Sequence, residues 1–136
     1  MQNNLNIFTI QLGGKMKIKN NKLFDKFFFK SLTSLSKLSL DAKYSIQLAK
    51  TIKEIKEESD IIFPIRDKIF EEYSINMETL DVSHLDKEKV EEFNNKISEL
   101  LNQEFDISLV DKIPVFEIKG DITANDLLIL DDILQY

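Results

Sequence analysis

Three polar residues near the C-terminal end have types and a spacing that could perform chemistry. Asp111 precedes Glu117 and Lys119, and the last two lie two residues apart in the mostly apolar run 115–119. Alternate residues of a strand share one face, so Glu117 and Lys119 would stand side by side on a strand. Carboxylates can hold Mg²⁺, and a nearby lysine can help to activate water. The pattern therefore raises the hypothesis of metal-dependent hydrolysis.

This pattern resembles the core of the PD-(D/E)xK nucleases. The resemblance implies a Mg²⁺-dependent nuclease with Asp111, Glu117 and Lys119 as catalytic residues. The rest of the sequence argues against it, because the chain reads as mostly helical and leaves no room for the sheet of such an enzyme. An edge strand with a solvated polar face explains the three residues better. We predict that the protein is not an enzyme.

Other catalytic or metal-binding sites lack the necessary residues. The chain has no cysteine, which excludes disulfides and zinc–thiolate sites, and His84 is its only histidine. Gly13 and Gly14 have no lysine and hydroxyl residue at the spacing of a phosphate-binding loop. We expect no cofactor and no metal.

Charge is divided unevenly along the 136 residues. Residues 1–56 hold 11 lysines against three carboxylates, a net charge of +8. Residues 57–136 hold six lysines and Arg66 against 21 carboxylates, a net charge of −14. The division predicts either two surfaces with different electrostatic roles or one half that neutralises the other in the fold.

The basic half mixes lysines with phenylalanines, a mixture that single-strand-binding proteins use for phosphate contact and base stacking. The phenylalanines recur at helical spacing, so core packing accounts for most of them, and Phe29 lies off the main stripe. The acidic half would also repel a polyanion. We do not expect direct nucleic-acid binding, and no segment is long and apolar enough to span a membrane.

The acidic half contains carboxylates that share helix faces, because residues one turn apart lie on the same side of a helix. Such a face can occupy a basic groove that otherwise holds nucleic acid. Solubility alone is the simpler explanation of the same charge. The candidate partner-binding residues are Glu57, Glu58, Asp67, Glu71, Glu72, Glu88, Glu91 and Glu92.

Apolar spacing predicts three helices in the body of the chain. The first begins at Asn20 or Asn21 and the third is capped by Ser83 or Asp86. The second carries a heptad seam that stays in phase on both sides of Pro64, which predicts one long kinked helix. The seam consists of Leu48, Ile52, Ile55, Ser59, Ile62, Arg66, Ile69 and Tyr73.

The remaining elements are short. Residues 16–19, 105–110 and 115–118 read as strands, and Thr123 caps a last helix. The predicted fold is a single mainly α domain over residues 16–136: a long antiparallel helical hairpin, N- and C-terminal helices and a small β element. The antiparallel hairpin would bring Lys50, Lys53 and Lys56 close to Glu99 and Glu104.

The first fifteen residues read differently from the rest. Residues 11–16 can be back-translated as CAA TTA GGA GGT AAA ATG, in which AGGAGG precedes ATG as in a bacterial ribosome-binding site. We predict that Met16 is the natural start and that residues 1–15 are a non-native or disordered leader. An ordinary flexible tail is the alternative.

Several segments follow one another in a recognisable order: 16–20, 35–38, the long heptad helix, 94–102, 104–107 and 122–130. In this order they resemble a family of short uncharacterised proteins encoded by phages and prophages of low-GC bacteria. The resemblance covers residues 16–136, and the chain departs from the family pattern at Pro64 and in the short 74–86 loop. The resemblance implies a phage setting and brings no catalytic residues with it.

Together these features predict a non-enzymatic phage protein that binds another protein through an acidic surface in the cytoplasm of the bacterial host. The expected partner is a host or phage protein, such as a nucleic-acid-binding defence complex, which would make the chain an inhibitor of the anti-CRISPR kind. A virion assembly or tail-region accessory protein, with the seam used for self-association into a homo-oligomer, is the alternative. A Mg²⁺-dependent nuclease is the third hypothesis.

Overall fold

The structure, a computed structural model, describes residues 16–136, and the predicted leader lies outside this part. The chain is mainly α with a minor β component, as predicted. Within residues 16–136, four α-helices follow one another: α1 (Lys26–Ser36), α2 (Ala42–Glu72), α3 (Lys87–Asn102) and α4 (Ala124–Ile129). The same residues contain four short strands in two pairs: β1 (Lys17–Lys19), β2 (Glu104–Asp106), β3 (Ile113–Pro114) and β4 (Leu134–Gln135).

The long helix α2 is the axis of the fold, and it runs through Pro64 as one helix. Its seam is directed inward: Leu48, Ile55 and Ile62 are buried in the main core, and Tyr73 is buried near the C-terminal end of the helix. Pro64 itself is exposed. A proline on the solvent side loses a backbone hydrogen bond without displacing core side chains, which allows the seam to continue.

Helices α2 and α3 form the predicted antiparallel hairpin. Phe70 near the end of α2 packs edge-on against Phe93 of α3, with 5.1 Å between ring centroids. Further from the turn, Ile65 of α2 and Gln103 at the end of α3 line one shallow cleft. The sixteen residues of α3 cover only the second half of the 31-residue α2.

The short reach of α3 overturns one expectation. Lys50, Lys53 and Lys56 lie on the first half of α2, and no ion pair among residues 16–136 joins them to Glu99 or Glu104. The first half of α2 is instead covered by α1 and by the irregular segment after β2.

That irregular segment corrects the prediction of a strand over 105–110. Strand β2 ends at Asp106, and it pairs antiparallel with β1, with Ile18 opposite Phe105. Ile107 N–H still donates to the Met16 carbonyl at 3.0 Å, but the next two amides turn to side chains of α2. Ser108 N–H donates to Glu54 Oε1 at 2.7 Å, and Leu109 N–H to Thr51 Oγ1 at 3.1 Å. Helix side chains thus replace the partner strand that the segment lacks.

The N-terminal helix also differs from its prediction. Residues Asn20–Phe24 form a 3₁₀-helix, and α1 begins only after Asp25, whose carboxylate accepts from Phe27 N–H at 3.0 Å. Asn20 is buried and caps the C-terminal end of α3 instead. Its side-chain amide donates to the Leu100 carbonyl at 3.0 Å. An asparagine read as a local N-cap therefore acts as a long-range C-cap.

Candidate functional site

The predicted nuclease pattern is not assembled. Residues Val115–Glu117 form a 3₁₀-helix, so the prediction of a strand over 115–118 with Glu117 and Lys119 on one face is wrong. Lys119 instead makes an isolated backbone bridge to Ser39, and one carboxylate oxygen of Glu117 is buried without a hydrogen-bond partner. Proline at 114, with its fixed φ, leads directly into the turn.

Asp111 lies elsewhere. It lines a cleft of about 690 Å³ with Tyr44, Lys112 and Asp131, and neither Glu117 nor Lys119 belongs to that cleft. Within residues 16–136, no group of three or more histidine, cysteine or acidic side chains is placed to hold a metal ion. The metal-nuclease hypothesis thus loses the strand geometry on which it depended.

The acidic candidates gather at one end of the hairpin, which we call the acidic tip and define as residues 67–92. It comprises the end of α2, the connecting loop and the start of α3. Nine carboxylates against three lysines give it a net charge of −6. Six of the eight predicted partner-binding residues belong to it, whereas Glu57 and Glu58 lie earlier on α2. The six are Asp67, Glu71, Glu72, Glu88, Glu91 and Glu92.

The acidic tip is built on a small aromatic core of its own. Tyr73, Ile75 and Phe93 are buried together, separate from the main core. Tyr73 packs edge-on against Phe93, with 5.7 Å between the ring centroids. His84, in the loop, contacts the Tyr73 carbonyl through Nε2 at 2.9 Å, and a carbonyl can only accept, so this nitrogen carries the proton. The core fixes where the surface carboxylates stand.

Three of the tip carboxylates are held by ion pairs within the chain. Lys96 Nζ lies 2.9 Å from Glu72 Oε1, Lys89 Nζ lies 3.3 Å from Glu92 Oε2, and Arg66 pairs with Asp67. The hydrogen bonds to Glu72 and then to Tyr73 raise the pKa of Lys96, and the hydrogen bond to Glu92 raises the pKa of Lys89. Hydrogen bonds from Ser83 lower the pKa of Asp81 in the loop. These contacts stabilise the geometry of the tip.

The other six carboxylates of the tip are exposed and take part in no ion pair among the described residues. Three of the six stand within the helices: Glu71 on α2, and Glu88 and Glu91 on α3. Glu88 and Glu91 lie three residues apart and so share one side of α3, away from the buried Phe93. Together with Glu71 they are well placed to meet a cationic partner, because no lysine among residues 16–136 pairs with them.

Sequence reasoning missed a second surface, a cleft of about 480 Å³ between the start of α1 and the middle of α2. The N-terminal phenylalanines were noticed, but nothing in the sequence showed that Lys56, Phe63 and Arg66 of α2 would join them. Among the N-terminal phenylalanines, Phe27 is exposed, at 48%, whereas Phe29, which lies off the main stripe, is half-buried. The described residues contain no helix long and apolar enough to cross a membrane.

Comparison of the chain with protein-family models, with curated proteins and with solved structures yields no match.

Proposed function

We propose that the chain is a non-enzymatic binding protein whose acidic tip docks into a basic, nucleic-acid-binding groove of another protein. The observation that carries this proposal is the net charge of −6 over residues 67–92, where Glu71, Glu88 and Glu91 are exposed and have no ion pair within the part of the chain that the structure describes. Carboxylates spaced along two packed helices can imitate the negative charge of a nucleic-acid backbone, and complementary charge speeds association and fixes orientation.

The rigidity of the tip supports the same proposal. A docking surface loses less conformational entropy on binding when its backbone is fixed beforehand. The buried trio of Tyr73, Ile75 and Phe93 and the contact of His84 with the Tyr73 carbonyl hold both helix ends and the loop together. The surface that meets the partner is therefore formed before the encounter.

The setting we propose is the cytoplasm of a bacterial host during phage infection, with a nucleic-acid-binding defence complex as the target. Support comes from the resemblance of segments 16–20 and 122–130 to short phage proteins, together with small size and acidic charge. The protein would then act as an inhibitor of the anti-CRISPR kind, by competing with nucleic acid for the basic groove.

The experiment compares two triple variants with the unmodified chain. The tip variant carries Glu71→Gln, Glu88→Gln and Glu91→Gln, and the control variant carries Glu104→Gln, Asp111→Asn and Asp121→Asn. Both remove three exposed negative charges, but only the first alters the tip. Each tagged chain is incubated with host lysate. The captured proteins are eluted with DNA or RNA and identified by mass spectrometry.

The proposal predicts that the unmodified chain and the control variant capture the same nucleic-acid-binding protein, that added nucleic acid releases it, and that the tip variant loses it. Capture that survives in the tip variant, or captured proteins that do not bind nucleic acid, would contradict it.

A virion assembly role is the second candidate, and exposed apolar side chains in the C-terminal part favour it. Phe116 is 84% exposed, Leu128 76% and Tyr136 70%. Large apolar side chains left in water often mark a contact with another protein or a second copy. Presence of the protein in purified particles, with self-association in solution that Phe116→Ser abolishes, would support this role; absence from particles would exclude it.

A further inference from the structure

The cleft between α1 and α2 combines aromatic rings with cations, and we infer that it binds a nucleoside monophosphate. We call it the basic cleft and define it as the cleft lined by side chains of segments 22–29 and 55–66. Its floor is apolar, since Leu23, Phe28 and Ile55 are buried beneath it. Its volume of about 480 Å³ lies in the range of small-molecule sites, which are roughly 300–1,000 Å³.

Aromatic rings at the cleft offer a stacking surface. Phe24, from the 3₁₀-helix, and Phe63, from α2, lie with ring centroids 5.2 Å apart and are only half-buried. The guanidinium of Arg66 lies over both rings, at 5.2 Å and 4.9 Å from their centroids. Phenyl rings and a planar guanidinium are the groups on which a nucleobase stacks in proteins.

Cations surround the same rings. Lys22, Lys26, Lys56 and Arg66 line the cleft against two carboxylates, Asp25 and Asp60, which leaves a net charge of +2 on a chain of net charge −6. Lys22 pairs with Asp132, and Arg66 pairs with Asp67.

Two of these cations are available for an anion. Lys26 and Lys56 have no ion pair within residues 16–136, and each lies over a phenyl ring, at 5.1 Å from the centroid of Phe27 and 5.4 Å from that of Phe29. A lysine that rests on a ring keeps its ammonium group exposed and can turn toward a phosphate without breaking a salt bridge.

The size of the ligand follows from the volume of the cleft and from its free cations. A single phosphate can be met by Lys26 and Lys56, the two lining cations that have no ion pair among the described residues. The cleft volume also accommodates one base, one sugar and one phosphate. A mononucleotide therefore satisfies the aromatic and cationic walls together.

The test measures the binding of AMP by isothermal titration calorimetry, with adenosine, ribose 5-phosphate and an eight-nucleotide single strand as comparison ligands. The variant is Lys56→Gln, and its matched control is Lys53→Gln, which removes the same charge from an exposed position one turn earlier on α2. Circular dichroism verifies that both variants remain folded.

We expect saturable binding of AMP. Adenosine, which lacks the phosphate, and ribose 5-phosphate, which lacks the base, should each bind at least about tenfold more weakly. Lys56→Gln weakens AMP binding by about tenfold, the effect of losing one charge-assisted hydrogen bond, and Lys53→Gln leaves it within about twofold.

Four results would overturn the inference: no saturation by about 10 mM AMP, equal affinity for adenosine and AMP, equal losses in the two lysine variants, or an oligonucleotide that binds far more tightly than the monomer. The last result would assign the cleft to single-stranded nucleic acid. Because the cleft lies outside residues 67–92 except for the pairing of Arg66 with Asp67, failure here leaves the proposal for the acidic tip unaffected.

Discussion

The side chain of Glu54 on α2 binds the segment after β2 where a partner strand would otherwise lie. Removal of this side chain tests how far that contact stabilises the fold. Its two carboxylate oxygens accept from Ser108, from the backbone N–H at 2.7 Å and from the hydroxyl at 2.9 Å. Both residues are half-buried. Glu54→Ala therefore removes two short hydrogen bonds to a charged group and leaves the Ser108 N–H without its partner.

The expected loss follows from these contacts. A hydrogen bond to a charged group contributes roughly 1.5–3 kcal/mol when buried, and water can reach these half-buried groups in the variant, so the pair together should contribute about 2–3 kcal/mol. With a urea slope of about 2 kcal/mol per molar for a chain of this size, the midpoint of unfolding should fall by roughly 1 M or slightly more.

The matched control is Glu57→Ala, which makes the same change three residues further along α2, at an exposed position. Its free energy of unfolding should change by less than about 0.5 kcal/mol. In a double-mutant cycle, Ser108→Ala should destabilise the unmodified chain but have almost no effect in the Glu54→Ala background. Equal midpoints for Glu54→Ala and Glu57→Ala, or strictly additive losses in the cycle, would refute the reasoning.

Three further changes test separate features of the fold. Gly120 has φ of +128°, and a Cβ there would lie 2.8 Å from Leu38 Cδ2, so Gly120→Ala should lower the free energy of unfolding by at least about 2 kcal/mol in urea titrations; an unchanged midpoint would contradict this. Pro64→Ala should raise the free energy of unfolding by roughly 1–3 kcal/mol, because alanine restores a helix hydrogen bond at an exposed site. A lower melting temperature for that variant would mean that the proline is needed for packing. The raised pKa of Lys96 means that its charged form is favoured in the folded state, so this stabilisation is complete below pH 10.5 and is lost as the pH rises further. The melting temperature of Lys96→Gln should therefore lie below that of the unmodified chain at pH 8 and approach it as the pH rises beyond 10.5; a gap that does not narrow would reject the assignment.

The features of the fold that follow from local residue spacing could be predicted from the sequence. The heptad seam specified a single helix through Pro64, because the apolar spacing kept its phase across the proline. Thr123 was predicted as an N-cap, and its hydroxyl accepts from Asp126 N–H at 3.0 Å. Both features depend on residues a few positions apart, so that local spacing carries the necessary information.

Two of the features that were predicted wrongly depend on residues far apart in the chain. Asn20 reads as a local cap, but its partner is the Leu100 carbonyl, 80 residues away. The segment after β2 has the apolar character of a strand, yet its amides bind Thr51 and Glu54, more than 50 residues earlier. Single-sequence patterns do not report such contacts, since burial and hydrogen-bond pairing there are decided by tertiary packing.

The candidate sites divide in the same way. The acidic tip was visible as a run of carboxylates at helical spacing, although the pairing of Glu72 with Lys96 across the hairpin was not. The basic cleft joins residues from two helices, and only its N-terminal half was noticed. The nuclease-like pattern lacks its predicted strand, because the residues after Pro114 form a 3₁₀-helix and do not place Glu117 and Lys119 on one strand face.

The most direct measurement of the central claim is the affinity of the captured partner for the tip variant and for the control variant, at two salt concentrations. Docking through the acidic tip predicts that the Kd rises at least about tenfold for Glu71→Gln, Glu88→Gln and Glu91→Gln together, with a weaker dependence on salt. The control variant should stay close to the unmodified chain. Equal affinities and equal salt dependence for the two variants would contradict the account.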